Sequence, residues 1–336
     1  MVLEMMDLSQ EKIKQVLCEI FKTDEVESLL PLSNGCVNNL YQFQVEDKNF
    51  VIKILTRPPA EEAEFYRFEK EVYLLKLFKE KSETKGIPEN ERLSVPVPEI
   101  IHLETNTDRL GYKFYIMNYI QGKNLNEVWD QLNEKEKERI SKRLAEILKD
   151  IHSITFDMFG SIEEFDCPRR FYSFESMIKS SVRRSTRKLG PTDMVPIELL
   201  TGSLKFIEEN LVKIDVDETP RLVHSDFNPT NIILNQNEKN EWIVSAIIDF
   251  EWSFAGNTLS DILNLDEDFI PEKKFRELFY ETYFNEKKNL SEFSLLNKII
   301  QVEQELSSMA YGWINFHPTK EAIDYATGVI KEAIKK

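Results

Sequence analysis

Two short stretches constrain this chain more than any other: LVHSDFNPTNIIL at 222–234 and SAIIDFEW at 245–252. Each sets acids or amides at the edge of an apolar run, as strands do when they deliver polar side chains to a loop. The first places His224, Asp226 and Asn231 in a short polar segment; the second places Asp249 at the end of an apolar run, 23 residues beyond Asp226. These residue types suit the transfer of a phosphoryl group. One carboxylate can orient an attacking hydroxyl and take its proton, while a carboxamide and a second carboxylate offer hard oxygens to magnesium lying on the phosphates.

At 336 residues the chain has room for one large domain or two lobes. With 41% hydrophobic and 30% charged residues and no repeat or low-complexity tract, it reads as globular. No apolar run approaches the roughly 20 residues that span a bilayer, so no membrane is expected as a partner. The start, MVLEMMDLSQEKIKQ, carries acids where a signal peptide would be basic and is read as mature protein. Three scattered cysteines, Cys18, Cys36 and Cys167, suggest reduced thiols and a cytoplasmic setting. A net charge of −16 argues against nucleic acid, whose capture needs a positive surface. The acidity serves solubility first, and it would also draw a cationic substrate at long range.

Periodicity supplies an outline. Ile13, Val16, Leu17, Ile20 and Phe21 recur at helical spacing over about 9–22, with Asp7 or Ser9 to cap them. Three strands follow: Val26 to Leu32, the alternating Tyr41, Phe43 and Val45, and FVIKIL at 50–55. A helix over about 60–80 carries Phe65, Phe68, Val72, Leu75 and Phe78 on one side, before strands near 98–103 and 112–120. Beyond QGKN the pattern turns mainly helical, at 134–152, 196–211 and much of 271–336. The expectation is an α+β chain. A small β-rich N-terminal part, 1–117, is joined through 118–124 to a larger, mainly helical part, 125–336.

The order of eight motifs adds a resemblance. SNGCVNN, VIKIL, KEVYLLKLF, VPVPEII, YIMNYIQGKNL, LAEILKDIHSI, LVHSDFNPTNIIL and IIDFEWSFAGNTLSDI follow one another as in the aminoglycoside phosphotransferase and choline kinase-like group. The resemblance implies a bilobal protein kinase-like fold, magnesium, and ATP (or GTP) as phosphoryl donor. Asp226 then matches the catalytic aspartate, and Asn231 and Asp249 match the metal ligands. Taken alone, Asp226 reads as a helix cap, Asn231 as a turn amide and Asp249 as a strand-end acid. His224 and His152 match residues that brace the loop, and Asp261 matches a structural acid.

Lys53 stands in the middle of an apolar strand, where an unpaired ammonium is costly, so something anionic should meet it. The resemblance offers nucleotide phosphate and a helix glutamate, Glu71, with Glu69 as the fallback. Ser33, Asn34, Gly35 and Asn38 fall where a phosphate-covering hairpin belongs, although one glycine makes a weak cradle by itself. By the same resemblance the Asn118 carbonyl and the Ile120 N–H would meet the adenine edge. The chain reads Asp-Phe-Glu where protein kinases read Asp-Phe-Gly. Glu251 is expected to be an outward, solvated carboxylate rather than a second metal ligand.

The acceptor is the least constrained part. The resemblance implies a hydroxyl on a small molecule: an aminoglycoside-like acceptor first, with choline, another amino alcohol or a sugar as the alternative. A catalytically silent nucleotide-binding protein of the same fold is the alternative from another class, and the intact Lys53, Asp226, Asn231 and Asp249 count against it. Asp266, Glu267 and Asp268 would suit a polycation, and Trp252, Phe254, Tyr311, Trp313 and Phe316 a quaternary ammonium. The basic, aromatic stretch at 169–188 reads as a solvated helix that could otherwise meet an anion. Monomer and dimer are both compatible with the sequence.

Overall fold

The computed structural model describes residues 8–34, 38–56, 67–83, 92–162, 169–263, 265–266, 268–312 and 319–335. In chain order the elements begin with α1 (Gln10–Phe21), β1 (Glu27–Asn34), β2 (Asn38–Val45), β3 (Lys48–Leu55), α2 (Arg67–Glu83), β4 (Ile100–Glu104) and β5 (Phe114–Asn118). Next come β6 (Lys123–Asn124), α3 (Leu125–Val128), α4 (Glu134–His152), β7 (Phe159–Gly160), β8 (Arg170–Phe171), α5 (Phe174–Leu189) and α6 (Ile197–Asn210). Then follow β9 (Arg221–Val223), β10 (Ile232–Gln236), β11 (Trp242–Ile247), β12 (Phe254–Gly256) and α7 (Leu259–Ile262). The last are α8 (Lys273–Phe284), α9 (Ser294–Ser307) and α10 (Lys320–Ile334).

The chain divides into two compact units, Met1–Glu136 with Pro229–Glu251, and Lys137–Asn228 with Trp252–Lys336. The first unit therefore holds residues 125–136 and 229–251, which the sequence reading assigns to the helical part. The physical reason is pairing: β10 forms a hairpin with β11 and also takes β6 as an antiparallel neighbour.

In the first unit, β1, β2, β3, β5 and β4 form one antiparallel sheet in that order. Side chains alternate across it. Phe50, Ile52 and Ile54 of β3 join Phe43, Val45, Phe114 and Ile116 in a core closed by Ile13, Val16 and Leu17 of α1. Ser9 caps α1 by accepting the Lys12 N–H. On the opposite face Tyr115 packs with Phe68 and Val72 of α2. Lys53 is directly cross-strand from Tyr115, and so belongs to the face that meets α2.

The second unit is mainly helical. Phe174, Met177, Ile178, Val182 and Leu189 of α5 join Leu199, Leu200 and Ile207 of α6 in one core with α9 and α10. This corrects the solvated reading of 169–188: α5 is amphipathic, its charged residues covering a buried apolar stripe. A four-stranded sheet, β8-β7-β12-β9, leads through β9 into His224, Ser225 and Asp226. No helix among the described residues is long and apolar enough to cross a membrane. Cys18 is a free thiol; Cys36 and Cys167 lie outside the described residues.

Gly122, the residue before β6, packs directly against β10. A Cβ there would lie 2.3 Å from the Leu234 carbonyl oxygen and 2.5 Å from Ile233 Cγ2. Gly122→Ala should therefore push β6 off the hairpin and cost at least about 1–3 kcal/mol, as overpacking does. Urea unfolding monitored by tryptophan fluorescence would read it; an unchanged midpoint would rule out the close approach.

Candidate functional site

In the first unit the site is built around Lys53. Its Nζ lies 2.7 Å from Glu71 Oε2, 3.5 Å from Glu251 Oε2 and 3.6 Å from Asp249 Oδ1. Glu71 follows Phe68 by three residues, one turn along α2, and directly precedes Val72; like both it is buried on the side of α2 that meets the sheet. Glu69, the other acid considered, instead pairs with Lys113. Burial, with Glu71 close by, raises the Tyr115 hydroxyl well above its usual value. Burial by itself would lower the Lys53 ammonium; attraction from Glu71 and the neighbouring acids overrides it and holds the group well above its usual value. Burial, with repulsion from Asp249 and Glu251, raises Glu71 to about 7 against the pull of Lys53.

The β10–β11 hairpin brings Asn231 beside the Asp249 segment. Ile232 is cross-strand from Ile247, and the Ile248 N–H donates to the Asn231 carbonyl at 3.0 Å. Asn231 ends a 3-10 turn over Pro229–Asn231 and is buried. Asp249 has φ of 68°, a left-handed conformation that an aspartate tolerates at some cost. Phe250 then points inward onto Phe78 of α2, with ring centroids 5.1 Å apart. Its neighbours take different exposures: the Asp249 side chain is 35% exposed and that of Glu251 only 8%. The expectation that Glu251 is outward and solvated is thus overturned. Its Oε2 also accepts from Asn38 Nδ2 at 3.0 Å, which leaves no reason for it to face water.

The oxygens of Glu71, Asp249 and Glu251 lie within 4.8 Å of one another. This is a hard, all-oxygen donor set of the kind magnesium takes. Asp249 is the member of the set that reaches solvent, and so the one able to meet an arriving ion.

Asp226 belongs to the second unit. It follows Ser225, whose φ is 70°, and its loop hangs on Asp261. The buried Asp261 carboxylate accepts the His224 N–H at Oδ2 and the Ser225 N–H at Oδ1, both at 2.8 Å. His152 Nε2 lies 3.0 Å from the same Oδ2, and His152 Nδ1 is 2.6 Å from the Tyr283 hydroxyl. The His224 ring is buried on Phe227, and its Nδ1 accepts the Asp226 N–H at 3.2 Å. Asn228 Nδ2 donates to Asp226 Oδ1 at 2.6 Å. Burial would raise Asp261, but the hydrogen bond and charge of His152 and the loop N–H groups bring it below its ordinary 3.8.

The remaining expected positions are placed as follows. Asn38 opens β2 and is buried; Ser33 and Asn34 end β1, and Gly35 lies outside the described residues. Asn118 ends β5, its N–H bonded to the Glu99 carbonyl and its Oδ1 to the Glu99 N–H, and Tyr119 N–H bonds the Asn49 carbonyl. Ile120 follows outside regular secondary structure. Asp266 and Asp268 are exposed, Asp266 accepting the Asp268 N–H, while Glu267, Trp313 and Phe316 lie outside the described residues.

A buried lysine clasped by a helix glutamate beside a hairpin aspartate, with a separately braced aspartate loop, defines a kinase-like phosphotransferase class. The sequence pattern described as the phosphotransferase enzyme family (APH) matches residues 28–287, and the chain belongs to that family. A thermostable mutant of aminoglycoside phosphotransferase APH(4)-Ia, in ternary complex with ADP and hygromycin B, is 17% identical with a TM-score of 0.64. That match covers 96% of this chain and 98% of the other. The gentamicin complex of APH(2")-IIa is 22% identical with a TM-score of 0.62, covering 98% and 97%. At such identities the likeness fixes the fold, α+β and protein kinase-like. Among curated sequences, acyl-CoA dehydrogenase family member 11 of Rattus norvegicus is 27% identical over 176 residues. The alignment takes 51% of this chain and only 20% of that relative's length.

Asp261→Ala should strand the His224 and Ser225 N–H groups and the His152 ring, costing about 3 kcal/mol as for one partner lost from a buried pair. Because the Asp261 pKa is depressed in the folded protein, its contribution is complete above about pH 4 and disappears as pH falls through the depressed value. Denaturant melts from pH 6 to pH 3 should show wild type and D261A converging only at the acid end. A gap that persists unchanged at pH 3 would remove the carboxylate's charge from the account.

Proposed function

We propose that this chain transfers the γ-phosphoryl group of ATP, or GTP, to a hydroxyl of a small molecule, in the cytoplasm. The observation that carries the reading is the Lys53–Glu71 pair with Asp249 beside it. A strand lysine held rigid by a helix acid is poised to contact nucleotide phosphate, since an ammonium already desolvated gains most from a further anion. Ser33, Asn34, Gly35 and Asn38 would cover the phosphates from the β1–β2 hairpin. The Asn118 carbonyl and Ile120 N–H would hold the adenine edge. In this reading residues 1–117 bind nucleotide, 118–124 are the hinge, and 125–336 carry the catalytic loop and acceptor site.

Asn231 and Asp249 would hold magnesium, which supplies charge neutralisation of the phosphates when bound. Asp226 orients the acceptor hydroxyl and receives its proton as the O–P bond forms and the bond to ADP breaks. The Asn228 amide and the His224–Asp261 bracing keep that carboxylate aimed.

For the acceptor, an aminoglycoside-like polycation comes first, in keeping with the hygromycin B and gentamicin carried by the fold neighbours and with the acidic surface. A second reading, a hydroxyl carried on an acyl-CoA, rests on the similarity to acyl-CoA dehydrogenase family member 11 and on a basic locus in the second unit. There Lys188 Nζ sits 4.4 Å, and Arg169 Cζ 5.7 Å, from the centroid of the Tyr311 ring.

Asp226→Ala should leave nucleotide binding intact and cut turnover at least ~10²-fold, the usual worth of a general base; retained turnover would end that assignment. Asp249→Ala should abolish magnesium-dependent nucleotide binding in calorimetry, and an unchanged affinity would take it out of the metal site. A coupled ADP-release screen over aminoglycosides, amino alcohols, sugars and hydroxyacyl-CoA thioesters identifies the acceptor. Silence across that screen, with no magnesium–nucleotide binding, would leave a non-catalytic protein of this fold.

A further inference from the structure

The bond between Glu251 and Asn38 joins residues 213 positions apart, both within the first unit. Asn38 stands at the first position of β2, which pairs antiparallel with β1, and is 5% exposed. A carboxylate only accepts hydrogen bonds, so Asn38 must present Nδ2 to Glu251, and the orientation of its amide is fixed. Asn38 Oδ1 is buried with no hydrogen-bond partner among the described residues, so the bond to Glu251 governs the placement of this side chain. The oxygen that accepts from Asn38, Glu251 Oε2, is the one 3.5 Å from Lys53 Nζ.

We infer that Glu251 is a positioning residue that ties the start of β2 to Lys53, so that hairpin and lysine are set together for the nucleotide. The inference rests on the phosphotransferase reading and assigns Glu251 a task other than metal ligation. Three features carry it. Glu251 is buried while Asp249, two residues earlier, keeps part of its carboxylate in solvent, although both approach Lys53. Its Oε2 is engaged by an amide N–H and lies close to an ammonium. Finally, Leu40 of β2 is cross-strand from Lys53, so the backbone already joins the two strands near this point and the side-chain bridge closes a small loop of contacts. A glycine at 251, as in Asp-Phe-Gly sequences, would leave Asn38 without this acceptor.

The test compares N38A, E251A, E251Q and the N38A/E251A double variant, using KM and kcat for the nucleotide with calorimetry of ATP and magnesium. N38A and E251A should each weaken nucleotide about tenfold, the order expected for a hydrogen bond to a charged group. The double variant should be no worse than the worse single, because both remove one contact. E251Q, whose amide oxygen still accepts from Asn38, should fall between wild type and E251A, and magnesium affinity should hold in N38A. The inference is overturned if E251Q equals E251A and loses magnesium while N38A behaves as wild type, the signature of a metal ligand. It is equally overturned if the two single effects multiply. Hydrogen exchange at 38–45 in nucleotide-free protein separates this inference from the function it rests on. Faster exchange in N38A and E251A supports the tie even where wild type binds no nucleotide, and unchanged exchange in both sinks it.

Discussion

The placement of one ammonium governs the first unit. β3 is buried on both faces, and Lys53 lies on the side that α2 covers. An unpaired ammonium there would be prohibitively costly, so α2 must supply a carboxylate at that height. It can do so only if Phe68 and Val72 pack on Tyr115, which sets the helix rotation and turns Glu71 inward. The apolar contacts and the ion pair therefore specify the same docking of α2 on the sheet. Truncating either would be felt by the other.

In the proposed reaction aspartates carry the chemistry in both units, and each is delivered by a left-handed backbone turn. Ser225 precedes Asp226 in that conformation, and Asp249 adopts it itself. Such conformations persist only where surroundings over-determine them. For Asp226 the surroundings are the Asp261 carboxylate gripping two successive N–H groups and two histidines locked behind it. For Asp249 they are the β10–β11 ladder on one side and the burial of Phe250 on Phe78 on the other. Two unrelated scaffolds thus solve the same problem, a carboxylate held at the end of a strand without being absorbed by it.

Much of this was legible in the sequence because it follows local rules. Period-2 alternation located β2 and β3, and a lysine in an apolar strand announced a buried partner; the choice of Glu71 over Glu69 came from the family resemblance at KEVYLLKLF. The helix 134–152 emerged with the same limits. What escaped depends on contacts distant in sequence. Nothing local distinguishes an outward Glu251 from an inward one, because the deciding residue, Asn38, enters from 213 positions away. The basic face of α5 masked its apolar stripe, since its arginines and lysines are interleaved with the core residues in a linear reading. Asp261 could be marked only by resemblance; its two backbone bonds depend on how β9 and α7 are brought together.

The charge balance around Lys53 carries the argument one step further. Three carboxylates approach one ammonium, and Glu71 is pushed up to about 7 by its burial first and by repulsion from the other two acids. A site optimised only for folding would not keep Asp249 and Glu251 as well as Glu71 within range of a single lysine, since one buried pair already satisfies it. In the proposed function the surplus at Asp249 is capacity held for an incoming cation. Glu71 and Glu251, both buried, hold the lysine and the start of β2, and Asp249, partly exposed, is the acid left to meet what arrives. Fixed dipoles and charges set in place before binding are the least costly way to favour a charged reaction, and this arrangement keeps the cost within the unit's own core.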